Sequence, residues 1–317
     1  MRVVGRASIE EALARIDVLE SIAQGFVAYS SDRAVVPPVG ELVFEEPPGD
    51  VHIKYGYLRG DEFFVIKIAS GYYENPKLGL PSGNGMMLLF RQRTGEPAAV
   101  LLDEGYLTDV RTAAAGALAA RHLAPDPVRG IGVLGCGVQA RLQAEWLRAV
   151  TDCRRISVWG RRAERIDAYR EEMAARGFEV QAAADPSEVA ASCNLIVTTT
   201  PATEPLLNEA AVRPGTHITA VGSDTPAKQE LDPAILARAD LVVADSRSQC
   251  LVRGEIAHAV RAGLLDQQRL VELGEVIAGT AAGRSSGDQI TVADLTGVAV
   301  QDVAIATAVL QRLEACA

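Results

Sequence analysis

The run Gly135-Cys136-Gly137-Val138-Gln139-Ala140 spaces two glycines and an alanine as GxGxxA. It follows the apolar segment GIGVLG and opens the helical stretch VQARLQAEWLRAV, and in that strand-turn-helix setting this spacing cradles a pyrophosphate. Gly135 permits the tight turn and Gly137 lets a phosphate approach the backbone. Ala140 leaves room for helix and sheet to pack, and Val138 and Gln139 lie where the helix N-terminus faces the phosphates. The alternative is an ordinary glycine turn of an α/β protein. The end of the next strand selects the nucleotide. An acidic residue about 20 positions on would hold a ribose 2′-hydroxyl, but the chain reads Ser157-Val158-Trp159-Gly160-Arg161-Arg162. Two arginines favour a 2′-phosphate through bidentate pairing, so NADP(H) is the expected cofactor and NAD(H) the other candidate. The competing reading makes Arg161 and Arg162 a solvated helix start.

Three further residues could do chemistry. Lys67 stands in the apolar run Phe63-Phe64-Val65-Ile66-Lys67-Ile68-Ala69. An ammonium there either snorkels at a strand end or binds an anion in a pocket. Arg111 falls in the first turn of an alanine-rich helix, where a cation opposes the helix dipole unless an anion joins it; otherwise it is a surface arginine pairing Asp109. Asp224 follows the strand THITAVGS, at the carboxyl end of a parallel strand, where doubly wound folds bind ligands. It could act as acid or base, or merely close a turn. Asp232-Pro233 already supplies a helix cap with a first-turn proline. His52, His122, His217 and His258 carry no metal pattern, and Cys136, Cys153, Cys193, Cys250 and Cys316 form no CxxC. No metal is expected, and scattered thiols fit a reducing cytoplasm.

These residues need elements to hold them. Ser8 and Glu11 fit a capping box, and apolar residues from Ile9 to Phe26 keep a helical period, which predicts one long first helix. Between Val35 and Phe90, short apolar runs broken by proline and glycine predict antiparallel strands. Thr108 is placed to cap the helix RTAAAGALAARHLA. After Pro127 apolar strands alternate with helices, which predicts a parallel sheet covered on both faces. The stretch VAVQDVAIATAVLQRLEA is an apolar helix. The expected class is α/β: a doubly wound Rossmann domain over 126–297, beside an α+β substrate-binding and dimerisation domain over 1–125 completed by 298–317. The 317 residues, 48% apolar and 23% charged, suffice for two such domains. A net charge of −10 and pI near 5.0 argue against nucleic acid. No apolar run approaches the roughly 20 residues of a membrane helix, and the charged N-terminus has no signal core, so a cytoplasmic location is expected.

The segments VIKIASGYYENPKLGLPSGNG, LDEGYLTDVRTAAAGALAARHLAP, GVLGCGVQA, AVGSDTPAKQELD and DLTGVAVQD, in this order and spacing, resemble the ornithine cyclodeaminase and mu-crystallin family over nearly the whole chain. That family includes ornithine and lysine cyclodeaminases, ketimine reductases, alanine dehydrogenases and proteins of ectoine breakdown. The resemblance implies an N-terminal dimerisation domain and a homodimer. It makes Lys67 and Arg111 binders of a substrate carboxylate and Asp224 the acid/base near the nicotinamide. It sets Thr199, Pro201, Gly222 and Ser223 along the cofactor, and Thr296-Gly297-Val298 against its ring. Two departures bear on substrate. The family's carboxylate-binding arginine is absent where the chain reads Pro37-Pro38-Val39-Gly40-Glu41, and Lys54 stands where cyclodeaminases carry a glutamate beside the substrate amine. A cation there repels an ammonium. The expectation is therefore an NAD(P)-dependent oxidoreductase acting at the C–N bond of a small α-imino or α-amino acid. The alternatives are a redox-neutral cyclodeaminase and a binding protein without turnover.

Overall fold

The computed structural model describes every residue except Tyr73, Cys316 and Ala317; the free thiol expected at Cys316 lies outside the described residues. The chain forms two compact units, Met1–Arg111 with Val298–Ala317, and Thr112–Gly297. The first begins with β1 (Arg2–Gly5), α1 (Arg6–Leu13), α2 (Val18–Ser30), β2 (Ala34–Val35), β3 (Gly40–Glu45), β4 (Pro48–Leu58), β5 (Phe63–Gly71), β6 (Gly83–Arg91) and β7 (Pro97–Leu102), and α3 (Tyr106–Leu123) carries the chain into the second unit. There follow β8 (Ile131–Leu134), α4 (Val138–Trp146), β9 (Arg155–Trp159), α5 (Ala163–Ala175), β10 (Glu179–Ala182), α6 (Pro186–Ser192), β11 (Leu195–Thr198), β12 (Thr203–Leu207), β13 (His217–Ala220), β14 (Gln229–Leu231), α7 (Pro233–Arg238), β15 (Leu241–Ala244), α8 (Arg247–Cys250), α9 (Gly254–Arg261), β16 (Leu270–Glu272), α10 (Leu273–Ile277) and β17 (Thr291–Asp294). Finally α11 (Ala299–Glu314) returns to the first unit.

In the first unit one sheet runs β1-β7-β6-β5-β4-β2, with β3 also paired to β4. All pairs are antiparallel except β1 with β7. Helix α11 packs on β4, β5 and β6 and on α2. The strand period of two then divides the residues sharply. Lys54, Val65, Lys67, Met87, Leu89 and Leu101 are buried on the helix-covered face. On the other face Tyr55, Ile66, Leu88, Val100 and Val3 stand in register across five strands, and all five are exposed or half-exposed.

The second unit is an eight-stranded parallel sheet in the order β10-β9-β8-β11-β13-β17-β15-β16. Strands β8, β11, β13 and β17 are buried at every position, as a sheet covered on both faces requires. The strand order reverses between β8 and β11, and the GxGxxA turn leaves β8 at that switch point.

Several local expectations are corrected. The first helix is two helices: Asp17 breaks the period and restarts it, its carboxylate accepting from the Glu20 amide at 3.0 Å. Ser8 lies inside α1, whose N-cap is Gly5, with no side-chain cap. Thr108 is likewise inside α3. Asp103 does the capping, its Oδ2 accepting from the Leu107 amide at 2.8 Å, so Arg111 belongs to the second turn. Hydrophobic period alone does not register such breaks, because the apolar face continues through them.

Candidate functional site

In the first unit Lys54 on β4 and Lys67 on β5 are directly opposed in the strand pairing. Arg111 comes from α3, and Gln301 and Asp302 from α11. The five side chains are 4%, 2%, 5%, 1% and 1% exposed in that order. Lys67 Nζ lies 3.1 and 3.0 Å from the two Asp302 oxygens, and Arg111 Nε lies 3.1 Å from Asp302 Oδ1. Arg111 also donates to Gln301 Oε1 at 3.0 Å. That bond fixes the amide's orientation and leaves Gln301 Nε2 a buried donor without a partner. Of the two readings of Lys67, snorkelling is excluded by its burial, and Arg111 is not a surface arginine.

Asp302 therefore pairs with two buried cations, Lys67 and Arg111, and Lys54 is buried opposite Lys67 on the neighbouring strand. Burial, then repulsion from Arg111, lowers the Lys67 ammonium to about 7, against the pull of Asp302. Burial alone would raise Asp302, but Lys67, Arg111 and Lys54 together hold it below the usual carboxylate range. Burial also pushes Asp103 up to about 6, with its helix-capping bonds and Lys67 opposing. Buried charge is costly unless it is compensated, and in this cluster Asp302 compensates Lys67 and Arg111 directly. With its proton exchangeable near neutrality, Lys67 can also serve in proton transfer.

In the second unit the glycine turn is well defined. Gly135 has φ +119°, and a Cβ there would stand 2.5 Å from Thr199 Oγ1. Gly137 differs: its φ is −88° and a Cβ would meet nothing within 4 Å. Neither backbone nor packing asks for glycine at 137, but a ligand against the backbone would. No side chain caps α4, so its first amides are available to an anion. Arg141 braces the turn from behind, donating to the carbonyls of Cys136 at 2.7 Å and Gly137 at 3.0 Å. Ala140 is fully buried, Gln139 half-buried and Val138 exposed. A pyrophosphate fits this cradle. At the end of β9, Arg161 and Arg162 are exposed, with no carboxylate from Ser157 to Ala163. Gly160 is held to glycine by Cys136, whose Sγ lies 2.7 Å from a Cβ there; Cys136 is a packing residue.

Of the remaining predicted positions, Thr199, Pro201, Gly222, Ser223 and Asp224 lie past the ends of β11 and β13, and Val298 lies at the start of α11. Thr199 gives its hydroxyl to Leu134 O at 3.1 Å, and Pro201 is exposed. Ser223 is buried, its hydroxyl donating to Lys228 O at 2.5 Å. Asp224 Oδ1 lies 2.6 Å from Lys228 Nζ and its side chain is 37% exposed; it caps no helix. Val298 is the fully buried N-cap of α11. Among the described residues no cluster of His, Cys, Asp or Glu could hold a metal ion. Both His217 nitrogens bond hydroxyls, Thr291 at 2.8 Å and Thr219 at 2.9 Å, and burial lowers its pKa to about 3. Asp302, Gln301, Arg141 and Lys228 were not foreseen. Gln301-Asp302 within the apolar VAVQDVAIATAVL carried the same signal as Lys67 in its strand: a polar group in an apolar run needs a partner.

A Rossmann unit with a glycine cradle, joined in one chain to an α+β unit with a buried cluster of charged side chains, defines a two-domain protein of the dinucleotide-dependent type. The ornithine cyclodeaminase/mu-crystallin family model matches residues 2–316. The chain belongs to that family. It is 45% identical to an uncharacterised cyclodeaminase of Sinorhizobium fredii, over 94% of this chain and 91% of the relative. An archaeal alanine dehydrogenase dimer with bound NAD superposes with a TM-score of 0.91 at 33% identity, covering 100% of this chain and 97% of that one. The Thermococcus litoralis Δ1-pyrroline-2-carboxylate reductase, in complex with NADH and L-proline, superposes at 0.93 with 29% identity, covering 100% and 98%. No helix among the described residues is long and apolar enough to cross a membrane.

Proposed function

We propose that the chain is an NAD(P)-dependent oxidoreductase acting at the C–N bond of a small α-imino or α-amino acid. The observation that carries this reading is the buried cluster of Lys54, Lys67, Arg111 and Asp302, in which Lys67 and Arg111 pair with Asp302. Such a cluster suits a carboxylate and repels a cationic side chain, which favours a neutral imine with one carboxylate over a diamino acid. In this reading the 1–125 and 298–317 segments bind substrate and dimerise, and 126–297 binds the dinucleotide. Lys67 and Arg111 hold the substrate carboxylate by charge-assisted hydrogen bonds, and Lys54 adds positive potential. A nicotinamide held along Thr199, Pro201, Gly222 and Ser223 would supply the hydride chemistry in either direction. Asp224, next to Lys228, delivers or removes the proton at nitrogen. Gly135, Gly137, Val138, Gln139 and Ala140 form the pyrophosphate cradle, and Thr199, Pro201, Gly222, Ser223 and Val298 line the remainder. Arg161 and Arg162, with Gly160, favour NADP(H). The bare apolar row from Tyr55 to Val3 supports a homodimer through that sheet face.

The test is NAD(P)H absorbance with a panel of linear and cyclic α-imino acids. Oxidation of cofactor in step with amine formation supports the reading. In the same assay Asp224→Asn is expected to lower turnover by about 10²–10⁴-fold, the scale for a lost proton-transfer group, with cofactor affinity unchanged. A second reading, redox-neutral cyclodeamination, is favoured by the 45% identical relative. Efficient release of proline and ammonia from L-ornithine with catalytic NAD+ would establish it instead.

A further inference from the structure

Two loops in the second unit, 199–202 after β11 and 222–228 after β13, are joined by a residue to which the proposed function gives no role. Glu230, on β14, is fully buried. Its Oε1 accepts from the Thr200 amide at 2.6 Å and the Thr200 hydroxyl at 2.8 Å. Its Oε2 accepts from the Thr198 hydroxyl at 2.6 Å and the Gly222 amide at 2.9 Å. Four donors converge on two oxygens, two of them backbone amides from different loops. Only a carboxylate can accept all four. The loops also touch without slack: a Cβ at Gly222 would lie 2.3 Å from Thr200 O and 2.6 Å from Glu230 Oε2. Glu230 is itself anchored, since Glu255 on α9 accepts from the amides of Glu230 at 2.8 Å and Leu231 at 3.0 Å.

We propose that Glu230 is a positioning residue for the nicotinamide half of the dinucleotide, clamping loop 199–202 to loop 222–228 so that both present their backbone at a fixed separation. The inference rests on the reading that Thr199, Pro201, Gly222 and Ser223 line the cofactor. The clamp is strongest when Glu230 is ionised. Burial pushes it up to about 7 while its four donors pull the other way. Replacing either oxygen by an amide nitrogen sets an N–H against a backbone N–H, at Thr200 in one orientation and at Gly222 in the other. The hydroxyls can rotate away; the amides cannot.

The experiment measures equilibrium binding of NADPH and NADH alongside ADP and its 2′-phosphorylated counterpart, which carry the adenosine half alone. For Glu230→Gln the dinucleotides should weaken about tenfold or more, and the adenosine fragments less than about twofold. Thr200→Val, which removes one hydroxyl donor and keeps the shape, should weaken the dinucleotides by a few-fold with the same selectivity. Equal weakening of whole and half ligands would make Glu230 a general fold residue and overturn the inference, as would unchanged dinucleotide affinity. Should Glu230→Gln not fold, Thr200→Val decides by the same criteria. Failure of the wild-type protein to bind either dinucleotide would instead remove the functional reading beneath it.

Discussion

Lys67 links charge to acidity in a directly measurable way. Its ammonium is lowered to about 7 by burial and by Arg111, so the cationic form predominates below that pH and fades above it. A group that must be charged to hold a carboxylate gives an apparent KM that is low below about pH 7 and climbs above it. Lys67→Met should abolish that dependence and raise KM below about pH 7 by roughly 10–100-fold, the equivalent of a charged hydrogen bond of about 1.5–3 kcal/mol, with the difference narrowing as the pH rises above 7. A wild-type KM that is flat from pH 6 to 8.5 would contradict this. At the other ligand, Arg161→Ala should weaken NADPH by about 1–3 kcal/mol and leave NADH nearly unchanged; equal loss for both would contradict the NADP(H) preference. The residue scale was only half legible in the sequence. An ammonium in an apolar strand announces itself, but its counter-ion Asp302 lies 235 positions away, and no local pattern joins the two.

At the scale of elements the glycine turn separates two kinds of requirement. Gly135 is demanded by its positive φ and by Thr199, whereas Gly137 is demanded by nothing within the chain. Gly135→Ala should therefore lower the thermal midpoint along with binding. Gly137→Ala should keep the wild-type midpoint and circular dichroism yet weaken the dinucleotide at least tenfold; unchanged binding would show that no ligand approaches there. The turn was legible because strand, glycine spacing and helix follow one another within a short window. So were β4, β5 and β6, whose apolar runs are bounded by turn residues. Strands β12, β14 and β16 were not: Glu204 and Pro205, Glu230, and Glu272 leave no more than two adjacent apolar residues in each. The break between α1 and α2 was hidden because only the Asp17 cap marks it. The four acceptances at Glu230 were equally hidden, since their donors come from two segments, 198–200 and 222, both separate from Glu230 in sequence.

At the scale of the molecule, the first unit buries one sheet face under α11 and leaves the other apolar and bare. A second copy of that face is the covering that symmetry provides at least cost. Light scattering should give twice the 33.6 kDa chain mass at micromolar concentration, and Leu88→Asp should shift it toward the single-chain value; a wild-type monomer would dismiss the dimer. The first unit is also interrupted: it holds residues 1–111 and then waits for Val298 onward. Its buried charged cluster takes Lys54, Lys67 and Arg111 from the early segment but Asp302 and Gln301 from the last helix. During synthesis Lys67 and Arg111 emerge long before Asp302, the carboxylate that pairs with both, and the intervening segment, 112–297, is continuous and complete before α11 exists. Unit two can thus fold while unit one still lacks its closing helix. The cluster is the last part of the molecule that can be assembled, so no released chain that stops short of α11 can pair Lys67 and Arg111 with their carboxylate.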